Sequence, residues 1–254
     1  YMDSDDTIQE NMLETLFEVC KQSDITVFGI NMIHEDAGGN ETSRQILTPK
    51  EYFGDTKTSV GQCFVNLSKA RVFQYVCSKL YRYEFLKRAN VEFESTQLIE
   101  DFLFNIEIFK KANTVRCISQ PFYNYRKPAH QTLVSSYSPN FFGLIKRKYL
   151  LEKDFLKQMD IENDESLSLV YLNHIKHLIS TYIRNQSPTA KLSILQRIDF
   201  IKNTLRDDTV KRALKECKPK GLKNKIICWV LKTGNPLLCL YFAKCISIIQ
   251  KNVR

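Results

Sequence analysis

Strand-like segments are confined to the first half of this chain, and they stop near residue 136. Up to that point, amphipathic helical segments alternate with short runs of β-branched and apolar residues. Beyond it, one helical pattern follows another with no strand pattern between them. Alternating helices and strands form a sheet covered by helices, so the sequence predicts an α/β part followed by an all-α region.

The first part, residues 1–135, contains four segments with a clear pattern. They are a helix at 11–23, a strand at 25–33, a helix at 99–111 and a strand at 114–125. A break of the last strand at Pro121 is left open, because proline cannot donate to a strand ladder. After a turn at 34–40, Thr48 followed by Pro49 predicts the start of a short helix.

The helices of the second part follow one another closely. We expect them at 139–159, 165–185, 188–206 and 208–217, with a final helical segment, 222–253, interrupted at 234–236. These patterns divide the chain into three parts: 1–135, a helical region at 136–217 and a basic amphipathic tail at 218–254.

Composition limits the class of protein. The chain has 254 residues, of which 43% are hydrophobic and 26% charged, which is enough for a sizeable core in one or two domains. No run of 18 apolar residues occurs, so a membrane-spanning helix is not predicted. The eight cysteines are scattered without a CxxC pair, which favours reduced, buried thiols over zinc or disulfides.

Positive charge is concentrated at the end of the chain. Residues 218–254 hold eight Lys or Arg and no acidic residue, so they account for most of the net charge of +9. A basic tail without the aromatic interleaving typical of RNA binders points to anionic lipid rather than nucleic acid. Its apolar residues fit a helical hairpin packed on the core or an interfacial membrane contact, and both remain open.

Three carboxylates stand close together at the start of the chain: Asp3, Asp5 and Asp6, after the apolar pair Tyr1 and Met2. The apolar pair suggests the end of a buried strand. Carboxylate oxygens spaced by one residue at a strand end can face one divalent cation. The alternative is a set of caps, with Asp6 ahead of the first helix or Asp5 in a turn.

Glu100 and Asp101 fall in the first turn of the predicted 99–111 helix. Acids are common there because the helix dipole favours them. The functional alternative is a general base at the mouth of a cleft, placed to take the proton of an acceptor hydroxyl.

A polar segment follows the last predicted strand. Arg126 and Lys127 could bind a diphosphate, His130 could add a metal ligand, and Thr132 could donate a hydroxyl. The alternative is an ordinary solvated loop.

These features occur in a specific order. A DxD is followed by Lys-Leu-Tyr-Arg-x-x-Phe-Leu at 79–86, by Glu-Asp at 100–101 and by a strand ending Pro-x-Tyr-x-Tyr-Arg at 121–126. The series resembles the family 2 glycosyltransferases of the GT-A fold, especially bacterial enzymes of polysaccharide biosynthesis. The resemblance covers about residues 1–135 and implies a partial GT-A fold, with a Rossmann-like mixed sheet.

The resemblance also implies roles for individual residues. Asp3 and Asp5 match the DxD that holds Mg²⁺ or Mn²⁺, with Asp3 nearer the nucleotide sugar, and Asp101 matches the catalytic base. Arg126, His130 and Thr132 fall where the family's loop closes over the diphosphate. The segment 79–82 matches the acceptor side, although a purely structural role is equally open. Ile99 and the pair at 131–132 depart from the family pattern, which usually has Gly and Gly-Ser there.

The implied reaction is a single displacement between a nucleotide-sugar donor and a glycan or lipid-linked acceptor. Nucleic acid is not an expected partner. An anionic membrane surface, bound through 218–254, and a second copy of the chain, paired through an open sheet edge, are left open. The expected location is the cytoplasm, peripheral on the inner face of a bacterial plasma membrane.

Two further expectations complete this interpretation. The family's nucleotide-binding strands would precede Tyr1, so this chain alone is expected to show little transferase activity and weak nucleotide affinity. The alternative function is a non-catalytic helical interaction module whose acids serve only as helix caps; it predicts no metal binding.

Overall fold

Two neighbouring parallel strands form the centre of a six-stranded sheet. The computed structural model describes residues 1–96, 98–127 and 137–252, with side chains to residue 249, and it pairs β2 (Ile25–Glu35) with β6 (Val115–Lys127) in parallel. Short antiparallel strands flank this pair: β1 (Thr7–Ile8) and β4 (Tyr52–Gly54) along β6, and β3 (Glu41–Leu47) and β5 (Lys79–Tyr81) along β2. The first eight residues of β2 are buried, which explains why its sequence is a continuous apolar run. The predicted α/β fold is confirmed.

Four helices belong to this part of the chain. They are α1 (Met12–Cys20), α2 (Lys57–Lys69), α3 (Tyr83–Ala89) and α4 (Glu100–Lys111), and a 3₁₀ turn spans Val76–Ser78. The predicted stripe of α4 is buried, and Phe102, Ile106 and Phe109 belong to the core. The helix therefore carries its two acids on the first turn of a rigidly packed element.

The predicted helix at Thr48 and Pro49 is wrong. The segment that follows forms β4, whose backbone pairs with the edge of β6, so its hydrogen-bonding groups are used in the sheet. The helix starts later, after Thr56, whose hydroxyl oxygen accepts the N–H of Ser59 at 3.2 Å in a capping box.

Pro121 does not end the last strand. β6 advances from Cys117 to Pro121 while β2 advances only from Val27 to Gly29, so the extra residues form a bulge. The bulge removes the need for a ladder N–H at the proline, and the strand continues to Lys127.

Gly54 allows β4 to approach the start of α2. A Cβ at this position would lie 2.9 Å from backbone atoms of Ser59 and Val60. Backbone cannot move aside as a flexible side chain can, so we expect Gly54→Ala to lower the free energy of unfolding by about 2 kcal/mol. Gly38→Ala is the control, because its Cβ would meet only the exposed side chains of Asn40 and Asp36. Urea unfolding of both variants measures this; equal stability would contradict the close approach.

The remaining helices are α5 (Phe141–Gln158), α6 (Asp164–Arg184), α7 (Ile194–Arg206), α8 (Asp208–Glu216), α9 (Leu222–Lys232) and α10 (Pro236–Asn252).

Contacts divide the chain into one unit of 1–130 with 154–162 and a second unit of 131–153 with 163–254. The predicted helix at 188–206 is wrong at its start: Pro188–Ala190 is a 3₁₀ turn ended by Lys191 in the left-handed region, and α7 begins after the Ser193 cap. The three-part division made from the sequence stays a prediction.

Candidate active site

The acidic segment at the start of the chain lies against the last residues of β6. The backbone N–H of Asp3 donates to the Tyr123 hydroxyl at 3.0 Å, and the backbone N–H of Arg126 donates to Asp6 Oδ1 at 2.8 Å. Asp6 is buried, whereas Asp3 and Asp5 are exposed. The segment is therefore anchored by one buried carboxylate and presents the other two to solvent.

The capping interpretation of these acids is wrong for the first helix. α1 begins after Asn11, which makes no side-chain cap bond, and Asp6 is bonded to β6 instead. The predicted buried strand end is also wrong, because Tyr1 and Met2 are exposed and lie outside any strand. Tyr1 packs edge-on against Phe104, with ring centroids 5.5 Å apart, rather than pairing with the sheet.

The three carboxylates crowd one another. Burial raises the pKa of Asp6, and the charges of Asp5 and Asp3 add to this effect, while the Arg126 N–H and the Tyr123 hydroxyl oppose it. Within 1–96, 98–127 and 137–252, Asp6 Oδ2 has no hydrogen-bond partner, and neither exposed carboxylate is hydrogen-bonded or ion-paired. Negative charge left uncompensated in this way favours a cation.

Asp101 is half-buried in the first turn of α4. Its Oδ2 accepts the backbone N–H of Val76 at 3.4 Å. Burial raises the pKa of Asp101, the Val76 N–H and Lys79 lower it, and the charges of Glu100 and Asp3 raise it further. The two acids that the sequence singled out therefore act on each other electrostatically, and the charge of Asp3 is the smallest of these influences on Asp101.

Lys79 is completely buried beside this cluster. Its ammonium donates to the carbonyl oxygens of Phe73 at 3.0 Å and Val72 at 3.4 Å, to that of Tyr75, and to the Ser78 hydroxyl at 3.4 Å. Burial lowers its pKa to about 7. The structure thus favours a structural role for Lys79 over a role on the acceptor side. Its hydrogen bonds stabilise the turn that contains Val76, whose N–H donates to Asp101.

Asp24 is a second buried charge that sequence reasoning missed. It pairs with Arg82, and its Oδ2 accepts the backbone N–H groups of Asn113 at 2.8 Å and Thr114 at 3.3 Å. These bonds join the start of β2 to the start of β6. The only available signal was an acid directly before an apolar strand, which is also typical of turns.

Aromatic rings line the side of the cluster next to Tyr1. Phe93 and Phe104 stack with centroids 4.3 Å apart, and Tyr1 meets Phe93 edge-on at 5.2 Å and Tyr81 at 5.7 Å. The Tyr81 hydroxyl donates to Asn105 Oδ1 at 2.9 Å. Because Tyr1 and Phe93 are both exposed, this group offers an apolar wall two residues from Asp3.

The basic candidates at the end of β6 are engaged with their neighbours. The Arg126 guanidinium forms an ion pair with Glu35 at 2.6 Å. The Lys127 ammonium lies 5.9 Å from the centre of the Tyr125 ring. A diphosphate at this position would have to compete with Glu35 for Arg126.

The remaining candidates, His130 and Thr132, lie outside the described residues. In the part of the chain that the structure covers, no group of three or more His, Cys, Asp or Glu side chains is arranged to hold a metal ion. Two exposed carboxylates are still a common protein contribution to a magnesium site, because substrate phosphates and water complete the shell.

Comparison with known proteins adds independent information. The chain is 24% identical over 153 residues to EpsJ, an uncharacterized glycosyltransferase of Bacillus subtilis (strain 168), a match that covers 59% of the chain and 43% of EpsJ. The chain resembles a glycosyltransferase. No protein-family model matches it.

Solved structures show the same fold. S. aureus TarS residues 1–349 in complex with UDP-GlcNAc superposes with a TM-score of 0.53 at 17% identity, covering 96% of the chain and 65% of TarS 1–349. The complex of the same protein with UDP gives a TM-score of 0.51 at 15% identity, covering 100% and 66%. The chain thus spans less than half of EpsJ and just under two thirds of TarS 1–349.

Proposed function

We propose that this chain is part of an inverting, metal-dependent glycosyltransferase of the family 2 type, which moves a sugar from a nucleotide-sugar donor to a glycan or lipid-linked acceptor in polysaccharide biosynthesis. The observation that carries the proposal is that the charge of Asp3, an exposed acid, acts on Asp101, the half-buried acid in the first turn of α4. The similarity to EpsJ and the fold shared with TarS support the same class.

Asp101 is the proposed catalytic base. As the acceptor hydroxyl oxygen forms its bond to the anomeric carbon, the bond from that carbon to the diphosphate oxygen breaks, and Asp101 takes the hydroxyl proton. Oδ2 is held by the Val76 N–H, and Oδ1 makes no hydrogen bond to the described residues. Burial raises the pKa of Asp101, which makes its carboxylate a stronger base. A single displacement of this kind needs no covalent enzyme intermediate and inverts the anomeric centre.

Asp3 and Asp5 are the proposed ligands of Mg²⁺ or Mn²⁺, with His130 as a further ligand. The exposed, unpaired carboxylates are hard oxygen donors and suit such an ion. When bound, the ion would neutralise charge on the departing nucleoside diphosphate. Arg126, Lys127 and the hydroxyl of Thr132 would contact the same diphosphate, with Arg126 exchanging its ion pair with Glu35 for the phosphate oxygens.

The proposed donor is a UDP-linked sugar, because TarS has been solved with UDP and with UDP-GlcNAc. The test is calorimetric binding of UDP by the complete gene product in Mg²⁺ and in EDTA. We expect Asp5→Asn and EDTA each to weaken UDP binding by about tenfold or more, the scale of one lost charge-assisted contact.

Glu10→Gln is the matched control for that experiment, because Glu10 is an exposed acid near the cluster and its carboxylate makes no hydrogen bond or ion pair with the described residues. It should bind UDP as the unaltered protein does. Failure to bind UDP, or binding that is indifferent to both EDTA and Asp5→Asn, would refute the metal-assisted donor site.

A further inference from the structure

Helix α9 has two apolar faces and buries only one of them. Ile227, Val230 and Leu231 are buried. Leu222 and Trp229, with the less exposed Ile226 between them, follow the i, i+4, i+7 spacing of a second face, and they are 75% and 63% exposed. A large apolar stripe in water is costly, so this face has the character of a contact surface.

Helix α10 repeats this arrangement. Cys239 and Ala243 are buried, whereas Leu237, Tyr241 and Ile248 lie on an exposed stripe at i, i+4 and i+11. Only a short turn with Gly234 in the left-handed region separates the two helices, and they contact each other. From the sequence, this tail could be either a hairpin packed on the core or an interfacial membrane contact. In the structure, one face of each helix is buried and the other face is exposed to solvent.

The positive charge around these stripes indicates an anionic partner. Residues 218–254 contain eight Lys or Arg and no acid, and Lys223, Lys225, Lys232 and Lys244 are exposed on the same two helices. Apolar residues including Trp, bordered by lysines, match the boundary of an anionic bilayer, where the lysines meet headgroups and the apolar residues enter the acyl layer. A second copy of the chain would instead bring two basic tails together.

Over the described residues, none of the helices has the length and apolar content needed to span a bilayer. We propose that the exposed faces of α9 and α10, defined by Leu222, Ile226, Trp229, Leu237, Tyr241 and Ile248, form a docking surface for an anionic membrane. This proposal does not depend on the catalytic one.

Trp229 makes the proposal directly measurable, because it is the only tryptophan in the chain. The complete gene product is mixed with vesicles of phosphatidylglycerol and phosphatidylcholine, or of phosphatidylcholine alone. We expect sedimentation with the anionic vesicles, a blue shift of the tryptophan emission on binding, and release by high salt. Absence of binding to anionic vesicles, or binding without an emission shift, would overturn the docking surface.

The double variant Leu222→Ser with Leu237→Ser tests the apolar stripe and keeps the reporter. We expect its affinity for anionic vesicles to fall by about tenfold or more. The matched control is Ile194→Ser with Leu195→Ser, two residues of α7 that are 65% and 73% exposed. If the control lowers vesicle binding as much, or if the test variant instead abolishes a dimer seen by light scattering, the surface is not a membrane contact.

The lysines have their own test. Lys223→Gln with Lys225→Gln should weaken binding to anionic vesicles by about fivefold for each lysine removed. Lys191→Gln, an exposed lysine in the same unit, is the control and should change nothing. Circular dichroism confirms that each variant is folded, and equal effects of test and control variants would contradict the proposal.

Discussion

Asp101→Asn is expected to slow sugar transfer by the complete gene product by about 10²- to 10⁴-fold, the usual contribution of a general base. The amide keeps the size of the side chain and can still accept the Val76 N–H, but it cannot take a proton. The measurement is release of UDP from a UDP-sugar in the presence of acceptor, with UDP affinity determined in parallel. UDP affinity should be nearly unchanged, because the proposed base would act on the acceptor and not on the donor.

Glu100→Gln is the control, since it makes the same chemical change on the neighbouring residue of the same helical turn. A larger loss of transfer in Glu100→Gln than in Asp101→Asn would assign the base to Glu100.

The stability of Asp101→Asn shows whether a loss of transfer comes from catalysis or from unfolding. Because burial raises the pKa of Asp101, the folded protein disfavours its charged form, and a neutral amide should leave the protein at least as stable at pH 7.

Lys79→Met is expected to lower the free energy of unfolding by about 3–5 kcal/mol, because it leaves several buried acceptors without a donor. The amine donates to the carbonyl oxygens of Val72, Phe73 and Tyr75, and methionine fills the space but donates nothing. Urea unfolding measures the change. The control is Lys87→Met, an exposed lysine of α3, for which we expect a change within about 0.5 kcal/mol.

The pH dependence of stability gives a second measurement of Lys79. Burial lowers its pKa from 10.5 to about 7 in the folded protein, so between these values the unfolded chain binds more protons. Stability due to this group therefore rises as pH increases from about 7 towards 10.5. Lys79→Met should lose this rise, whereas Lys87→Met should keep it. An unchanged pH profile in Lys79→Met would show that the buried amine does not titrate in this range.

Local pattern was sufficient to predict β2, α4 and most of the later helices, because their apolar spacing is set by a buried face. It was not sufficient for β3 and β4. β3 is exposed over nearly its whole length and exists because β2 offers an unpaired edge, and β4 depends on β6 in the same way. Strands that form on the edge of another strand carry little signal of their own.

The candidate site likewise contains residues that the sequence could identify and residues that it could not. The acids at Asp3 and Asp101 could be identified as unusual from the sequence, but their proximity depends on how β1 and α4 are placed around the sheet. Lys79 and Asp24 could not be assigned to the interior, because lysine and aspartate are rarely fully buried. Lys79 is held by carbonyl groups of the turn just before it, and Asp24 by the backbone N–H groups of Asn113 and Thr114. No residue pattern reports either set of bonds.

The bonds of Asp24 have a consequence for how this protein could be altered. Asp24 joins the first residues of β2 and β6, whereas the acidic segment is bonded to the last residues of β6. The bonds that align the two strands and the bond that anchors the acidic segment thus lie at opposite ends of β6. Tyr123 at this end belongs to the core, whereas the Arg126 side chain is part-exposed. We expect substitutions at Arg126 to leave the fold intact, which makes Arg126 the position at which to begin a mutant library.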